Sequence, residues 1–241
     1  MDKKSTNIKD KFNPELFLKY LDDRLGEEIQ VFLKELSELS EVLIFSGIIR
    51  NFFINTYGPA RDLDLVVDGD KTSVSNYLDK FLPIRNSFGG YKITVGSVKV
   101  DIWHIEDTWA YTNSKVDFEL FQDYNLPNTA FFNFSSVVFD FNNSEFIPST
   151  SFNDFLETKE LDMVLEDNPL PQLCIVNTIY YMTKFNLNVS SKLKNYCLQY
   201  FEKFSEEDFN KVQLKHFNEV KYDYSFLKTY MHIFNKEVMK N

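Results

Sequence analysis

A chain of 241 residues with 44% hydrophobic side chains can bury a sizeable core without covalent staples. Its two cysteines, Cys174 and Cys197, form no CxxC and lie near no histidine pattern, so neither a disulfide framework nor a zinc site is indicated, and a reducing interior is favoured. The net charge of −10 argues against long tracking along nucleic acid, which needs Lys and Arg to displace counterions, although residues 185–241 carry +2 against −12 for the rest.

The polar start MDKKSTNIKDKF lacks the apolar core of a signal peptide, and no later run approaches the roughly 18 apolar residues of a membrane span. The expectation is a cytoplasmic protein with no membrane partner. A first helix is predicted from Pro14, with Asn13 as its cap, to about Leu25, and a second over EEIQVFLKELSEL. EVLIFSG reads as a buried strand ending at Gly47, IIRNFFINTYG as a helix ending near Gly58, and RDLDLVVDG as a strand closed by a turn at Asp68-Gly69. SVSNYLDKFL is helical in pattern. GGYKITVGSVKVDIWHI holds two period-2 runs around Gly96-Ser97, the mark of a hairpin. Another strand is expected at FNFSSVVFDF, with Asn142-Asn143 turning into EFIPS. Helical periodicity returns from FNDFLETKELDMVL, and LCIVNTIYYMTKF is the strongest apolar helix. The fold class expected is α/β (α+β): a small mixed sheet flanked by helices over residues 1–150, then a helical region over 151–241.

Residues two apart on a strand share a face, so Asp62 and Asp64 project together while Leu63 and Leu65 project to the other side. Adjacent carboxylates repel, and a divalent cation relieves them; hard oxygen donors suit Mg2+ or Mn2+. Asp101, alone and acidic within the apolar run VKVDIWHI, is the candidate third carboxylate of such a site. Ahead of this strand, Gly47 would let a triphosphate approach the backbone at a helix start, Ser46 adds a hydroxyl, and Arg50 offers a forked donor one turn later. The bland reading fits other tempting residues: His104 as a core histidine, Trp103 and Trp109 as packing, Glu106 and Asp107 as solvated charges at a strand end.

These residues resemble the head domain of bacterial poly(A) polymerases and CCA-adding tRNA nucleotidyltransferases, within the DNA polymerase β-like nucleotidyltransferase superfamily. Ser46-Gly47, Ile49-Arg50-Asn51 and Asp62-Leu63-Asp64-Leu65-Val66 match that family's GG or GS, VRD and DxDLV elements. Residues 88–107 are similar to its FGTxxV hairpin, with Asp101 in the acidic position, and FNFSSVVFDFNNSEFIP, DFLETKELDMV and IYYMTKFNLNV are similar to segments leading into its neck. The resemblance covers about residues 41–190. It implies a nucleotidyltransferase-type sheet and the transfer of an NMP from an NTP, ATP first among them, to a hydroxyl, with Asp62, Asp64 and Asp101 as catalytic metal ligands and Ser46, Gly47 and Arg50 on the nucleotide. The pattern departs downstream. Thr129, Ala130 and Phe131 stand where the family has Arg, Arg and Asp, Cys174 and Asn177 stand where neck arginines belong, and no arginine follows Arg85. CCA addition to tRNA is therefore not the expected reaction; a small molecule, a protein or a short oligonucleotide is the expected acceptor. The alternative is a degenerate head that binds nucleotide or a partner without turnover.

Overall fold

The computed structural model describes residues 12–45, 47–54, 62–86, 89–113 and 123–240. They fall into two compact units: residues through Ala130 with Ser135–Phe152, and Phe131–Phe134 with Asn153 onward.

In the first unit, helix α1 (Pro14–Leu25) opens as its sequence dictates. Asn13 is extended, its Oδ1 accepts the Leu16 N–H at 3.1 Å, and Pro14 sits where no amide partner is needed. Gly26 turns the chain at φ +81° into α2 (Glu27–Ser37). There follow β1 (Ser40–Phe45), α3 (Gly47–Phe53), β2 (Asp62–Gly69), α4 (Lys71–Leu78), β3 (Ile84–Arg85), β4 (Tyr91–Val95), β5 (Val98–His104), α5 (Trp109–Asn113), β6 (Val137–Asp140) and β7 (Glu145–Pro148). The strands make one mixed sheet, ordered β3-β4-β5-β2-β1-β6-β7. Only β2 and β5 run parallel; every other neighbouring pair is antiparallel.

The sheet's two faces differ. Ile44, Leu65, Ile102 and Phe139 lie in paired positions and are fully buried, as are Leu63, Val67 and Val42 on the same face. The α1 ring of Phe17 reaches this face, 4.7 Å from Phe139 and 5.1 Å from Phe146, in edge-on or tilted contact. The opposite face holds a smaller cluster of Leu43, Val66, Ile105, Leu126 and Val138.

The second unit comprises the end of α6 (Thr150–Thr158), β8 (Glu160–Leu161), α7 (Pro171–Phe185), β9 (Asn188–Val189), α8 (Ser191–Phe201), α9 (Glu206–Phe217) and α10 (Tyr224–Val238). Here α10 packs on α8 and α9 on α7. Side-chain caps from Ser190, Ser205 and Asp223 begin α8, α9 and α10. Cys174 and Cys197 are buried free thiols in this unit. No helix among the described residues is long and apolar enough to cross a membrane.

Several expected elements differ, among them the turn expected at Asp68-Gly69, where both residues stay in β2 paired with Glu41 and Ser40. The strand expected at FNFSSVVFDF begins only at Val137, because Asn133 is drawn into the second unit: its Nδ2 donates to Glu160 O at 2.9 Å and its Oδ1 accepts Asp162 N–H at 3.0 Å. The helix expected through FNDFLETKELDMVL stops at Thr158; Lys159 turns left-handed at φ +56°, and Glu160-Leu161 pairs instead with Asn188-Val189. The helix expected over SVSNYLDKFL starts two residues earlier, at Lys71, because Asp70 caps it through Ser73 N–H at 2.8 Å, and it yields after Leu78 to a tight turn. The helix expected over IIRNFFINTYG stops at Phe53, and its expected end near Gly58 lies outside the described residues.

One side chain ties the turn after β6 to the start of the sheet. Asn142 Oδ1 accepts Val42 N–H at 2.9 Å, while its Nδ2 donates to Ser37 O and Ser40 O at 3.1 and 3.2 Å. Asn142→Ala strands these backbone groups and is expected to lower the unfolding free energy by about 2–4 kcal/mol with an unchanged urea m-value. A loss below about 0.5 kcal/mol in urea denaturation removes this anchor from the account of the fold.

Candidate metal and nucleotide site

Strand register assembles the site. The parallel pairing of β2 with β5 sets Asp64 opposite Asp101 and Asp62 opposite Lys99. The β4–β5 hairpin sets Lys92 opposite Asp101, and β1 sets Phe45 opposite Asp64. Paired residues project to one face, so Lys92, Asp101, Asp64 and Phe45 form a row across four strands. Asp62 lies one pleat back on that face and is exposed; Asp64 and Asp101 are half-buried. The apolar alternation that buries Leu63 and Leu65 on the helix-covered face is what forces the aspartates onto the other.

Two carboxylates side by side in a partly dry setting cannot both ionise freely. Burial first, then the charges of Asp101 and Asp62, push the Asp64 carboxyl from 3.8 up to about 7, against the pull of Arg50 and Lys92. Asp101 has a cation of its own. Lys92 Nζ donates to its Oδ2 at 3.3 Å and stands 3.3 Å from Oδ1, which is buried and accepts no hydrogen bond. Lys92 approaches from the side of Asp101 away from Asp64. Among the described residues no three His, Cys, Asp or Glu side chains stand together as a ready metal cluster.

Arg50 lies on α3, whose buried side chains are Ile48, Ile49 and Phe53. Its Nε and Nη2 each donate to Asn51 Oδ1 at 3.4 Å, and its charge is felt at Asp64. Among the described residues, a Cβ on Gly47 would meet only the Arg50 guanidinium, at 3.6 Å, an ordinary van der Waals contact. Ser46 lies outside the described residues.

Other residues take the bland roles expected of them. Lys71 pairs with Asp107 at 2.8 Å and with Glu106, which occupies both carboxylates at the end of β5. His104 is buried, and burial drives its pKa down, favouring the neutral ring. Trp103 lies over Gly90, where an added Cβ would come within 2.4 Å of the indole. Downstream, Thr129 Oγ1 donates to Leu126 O at 2.7 Å, Ala130 and Phe131 are buried, and Cys174 is buried within α7. Lys92 is the site residue that reading the chain missed. The signal was present: counting back from the Gly96-Ser97 turn through Val95–Val98 brings Lys92 opposite Asp101.

No protein-family profile matches the sequence, and no curated protein sequence matches it. Solved structures do. A CCA-adding enzyme with CTP superposes with TM-score 0.65 at 16% identity, covering 91% of this chain and 54% of that one. The Thermotoga maritima CCA-adding enzyme complexed with tRNA gives 0.63 at 15%, covering 93% and 54%. A tRNA-processing enzyme with CTP gives 0.56 at 12%, covering 87% and 56%. The chain thus spans about half the length of the solved structures it matches. At these identities the likeness establishes the fold, and the chain has the α/β fold of the CCA-adding nucleotidyltransferases over most of its length.

Proposed function

We propose that this chain is a metal-dependent nucleotidyltransferase that moves an NMP from an NTP, ATP first among them, to a hydroxyl and releases pyrophosphate. The observation that carries the reading is the registered pair Asp64 and Asp101, with Asp62 beside them on the same face. These residues fit a divalent cation: the donors are hard oxygens, Asp101 Oδ1 lacks a hydrogen bond, and burial together with the like charges of Asp101 and Asp62 holds a proton on Asp64 near neutrality. Mg2+ or Mn2+ held by Asp62, Asp64 and Asp101 would supply the charge that activates the attacking oxygen and steadies the leaving phosphate.

The chain's own groups do the rest. Arg50 grips the triphosphate with its planar fork, the start of α3 at Gly47 admits phosphate oxygens, and Ser46 adds a donor. Asp101 takes the proton of the acceptor hydroxyl as the new O–P bond forms at the α-phosphorus and the bond to the bridging oxygen breaks. The neighbours named above bind CTP and tRNA. For this chain we favour a small-molecule, protein or short-oligonucleotide acceptor, because Thr129, Ala130, Phe131, Cys174 and Asn177 stand where the resembled family carries Arg and Asp. The ion pair between Lys92 and Asp101 favours a second reading, a nucleotide- or partner-binding module without turnover.

The decisive assay incubates each labelled NTP and dNTP with Mg2+ or Mn2+, with and without cell extract, beside Asp62→Ala/Asp64→Ala. Metal-dependent label incorporation that falls by at least about a hundredfold in the double variant is the expected result. Metal-dependent nucleotide binding without incorporation supports the module, and equal incorporation by both proteins overturns the assignment.

The Asp64 shift makes a separate prediction. The folded carboxyl holds its proton up to about pH 7 and the unfolded one only to its ordinary 3.8. Between those values the folded state binds more protons at Asp64, so in divalent-free buffer the contribution of Asp64 to stability falls as pH rises from about 4 to 7 and is level above. Asp64→Asn is expected to flatten that slope and to be more stable than the parent at pH 8, a difference that Mg2+ narrows by stabilising the parent. Parallel stability curves for the two proteins from pH 4 to 8 refute a carboxyl raised by burial and like charge at Asp64.

A further inference from the structure

Each carboxylate in the site row meets a different electrostatic fate. Asp101 has an ammonium 3.3 Å from both oxygens, supplied by the next strand outward, whereas Asp64, next inward, lies opposite the apolar Phe45. The Lys92 side chain is 59% exposed and that of Asp101 16%, so the cation reaches in from solvent on a flexible stem to cover a largely enclosed acid. Asp101 Oδ1 remains without a hydrogen bond even so. Lysine is a compact point charge, and here it stands at the outer flank of the carboxylate that a second divalent ion would use.

We infer that Lys92 is a positioning residue that sets how many divalent ions the site takes: seated on Asp101, it stands in for one ion, and it must swing outward before Asp101 can join Asp62 and Asp64 as a ligand. The inference rests on the proposal that these three aspartates hold a divalent cation. It assigns the two cationic side chains near Asp64 separate tasks. Arg50, half-buried on α3, is placed for the nucleotide, and Lys92, exposed and paired with Asp101, is placed against the metal.

Mn2+ binding to the whole chain tests this directly, by electron paramagnetic resonance of free Mn2+ and by calorimetry, without nucleotide. The parent is expected to bind one ion tightly and a second weakly. Lys92→Met should tighten the second ion by about tenfold, the order expected from removing one nearby charge at a partly solvated site, and leave the first unchanged. Lys92→Arg, which keeps the charge, should follow the parent. Two identical isotherms for the parent and Lys92→Met overturn the role given to Lys92 and leave the metal reading standing. Failure of both proteins to bind Mn2+ overturns both proposals. Lys92 is exposed enough that neither substitution threatens the fold, and circular dichroism with thermal melting verifies it.

Discussion

The parallel pairing of β2 with β5 is the constraint on which the site depends, because it is what presses two acids together. A one-residue slip would turn Asp62 and Asp64 into the helix-covered core and Leu63 and Leu65 outward. Magnitudes decide which arrangement wins. Each of Leu63, Leu65 and Val67 is fully buried, and such burial stabilises by about 1.5–3 kcal/mol per side chain. The penalty for ionising Asp64 there, a displacement from 3.8 to about 7, corresponds to about 4 kcal/mol at most. Apolar burial on one face thus outweighs the cost of enclosing and crowding the acids on the other. The sheet holds the carboxylates in a conflict that a cation is suited to resolve.

The remaining charges are arranged around that conflict in graded fashion. Arg50 acts on Asp64 from a helix whose buried face is apolar, so its backbone is fixed even though its side chain is only half enclosed. Lys92 acts on Asp101 from a hairpin whose register is fixed by the Gly96-Ser97 turn, while its long stem is more than half exposed to solvent. Beyond the end of β5, Lys71 takes up Glu106 and Asp107, which would otherwise add negative charge there. The strand pair therefore carries its acids in two groups, one neutralised internally by lysine and one left partly uncompensated.

Much of this was legible in the chain because it is local. Asn13-Pro14 announces α1, the alternation in DLDLVV announces a strand with acids on one side, and the two-residue turn at Gly96-Ser97 carries the register that joins Lys92 to Asp101. What escaped is long-range. Nothing near Asn133 reveals that Glu160 and Asp162 will claim its amide, and nothing in KELD reveals that Glu160-Leu161 will find a partner strand at Asn188-Val189. The pairing of Asp64 with Asp101 lies between these cases. Each strand could be drawn from its pattern, but their relative register depends on the burial of both and was open until the structure aligned them.

The departures from the resembled family are built into packing, which bears on how the acceptor can be chosen. Phe131 stands at the family's Asp position, is buried, and sets its ring 4.7 Å from Phe132 and 5.1 Å from Tyr196. Its carbonyl also receives Val164 N–H at 2.8 Å, holding this short segment within the second unit. Writing an aspartate back at this position would bury an unpaired charge and remove an aromatic contact at once. The position is thus committed to stability. A buried phenyl ring offers no charge to a sugar or phosphate, so under the function proposed above any such contact falls to other groups.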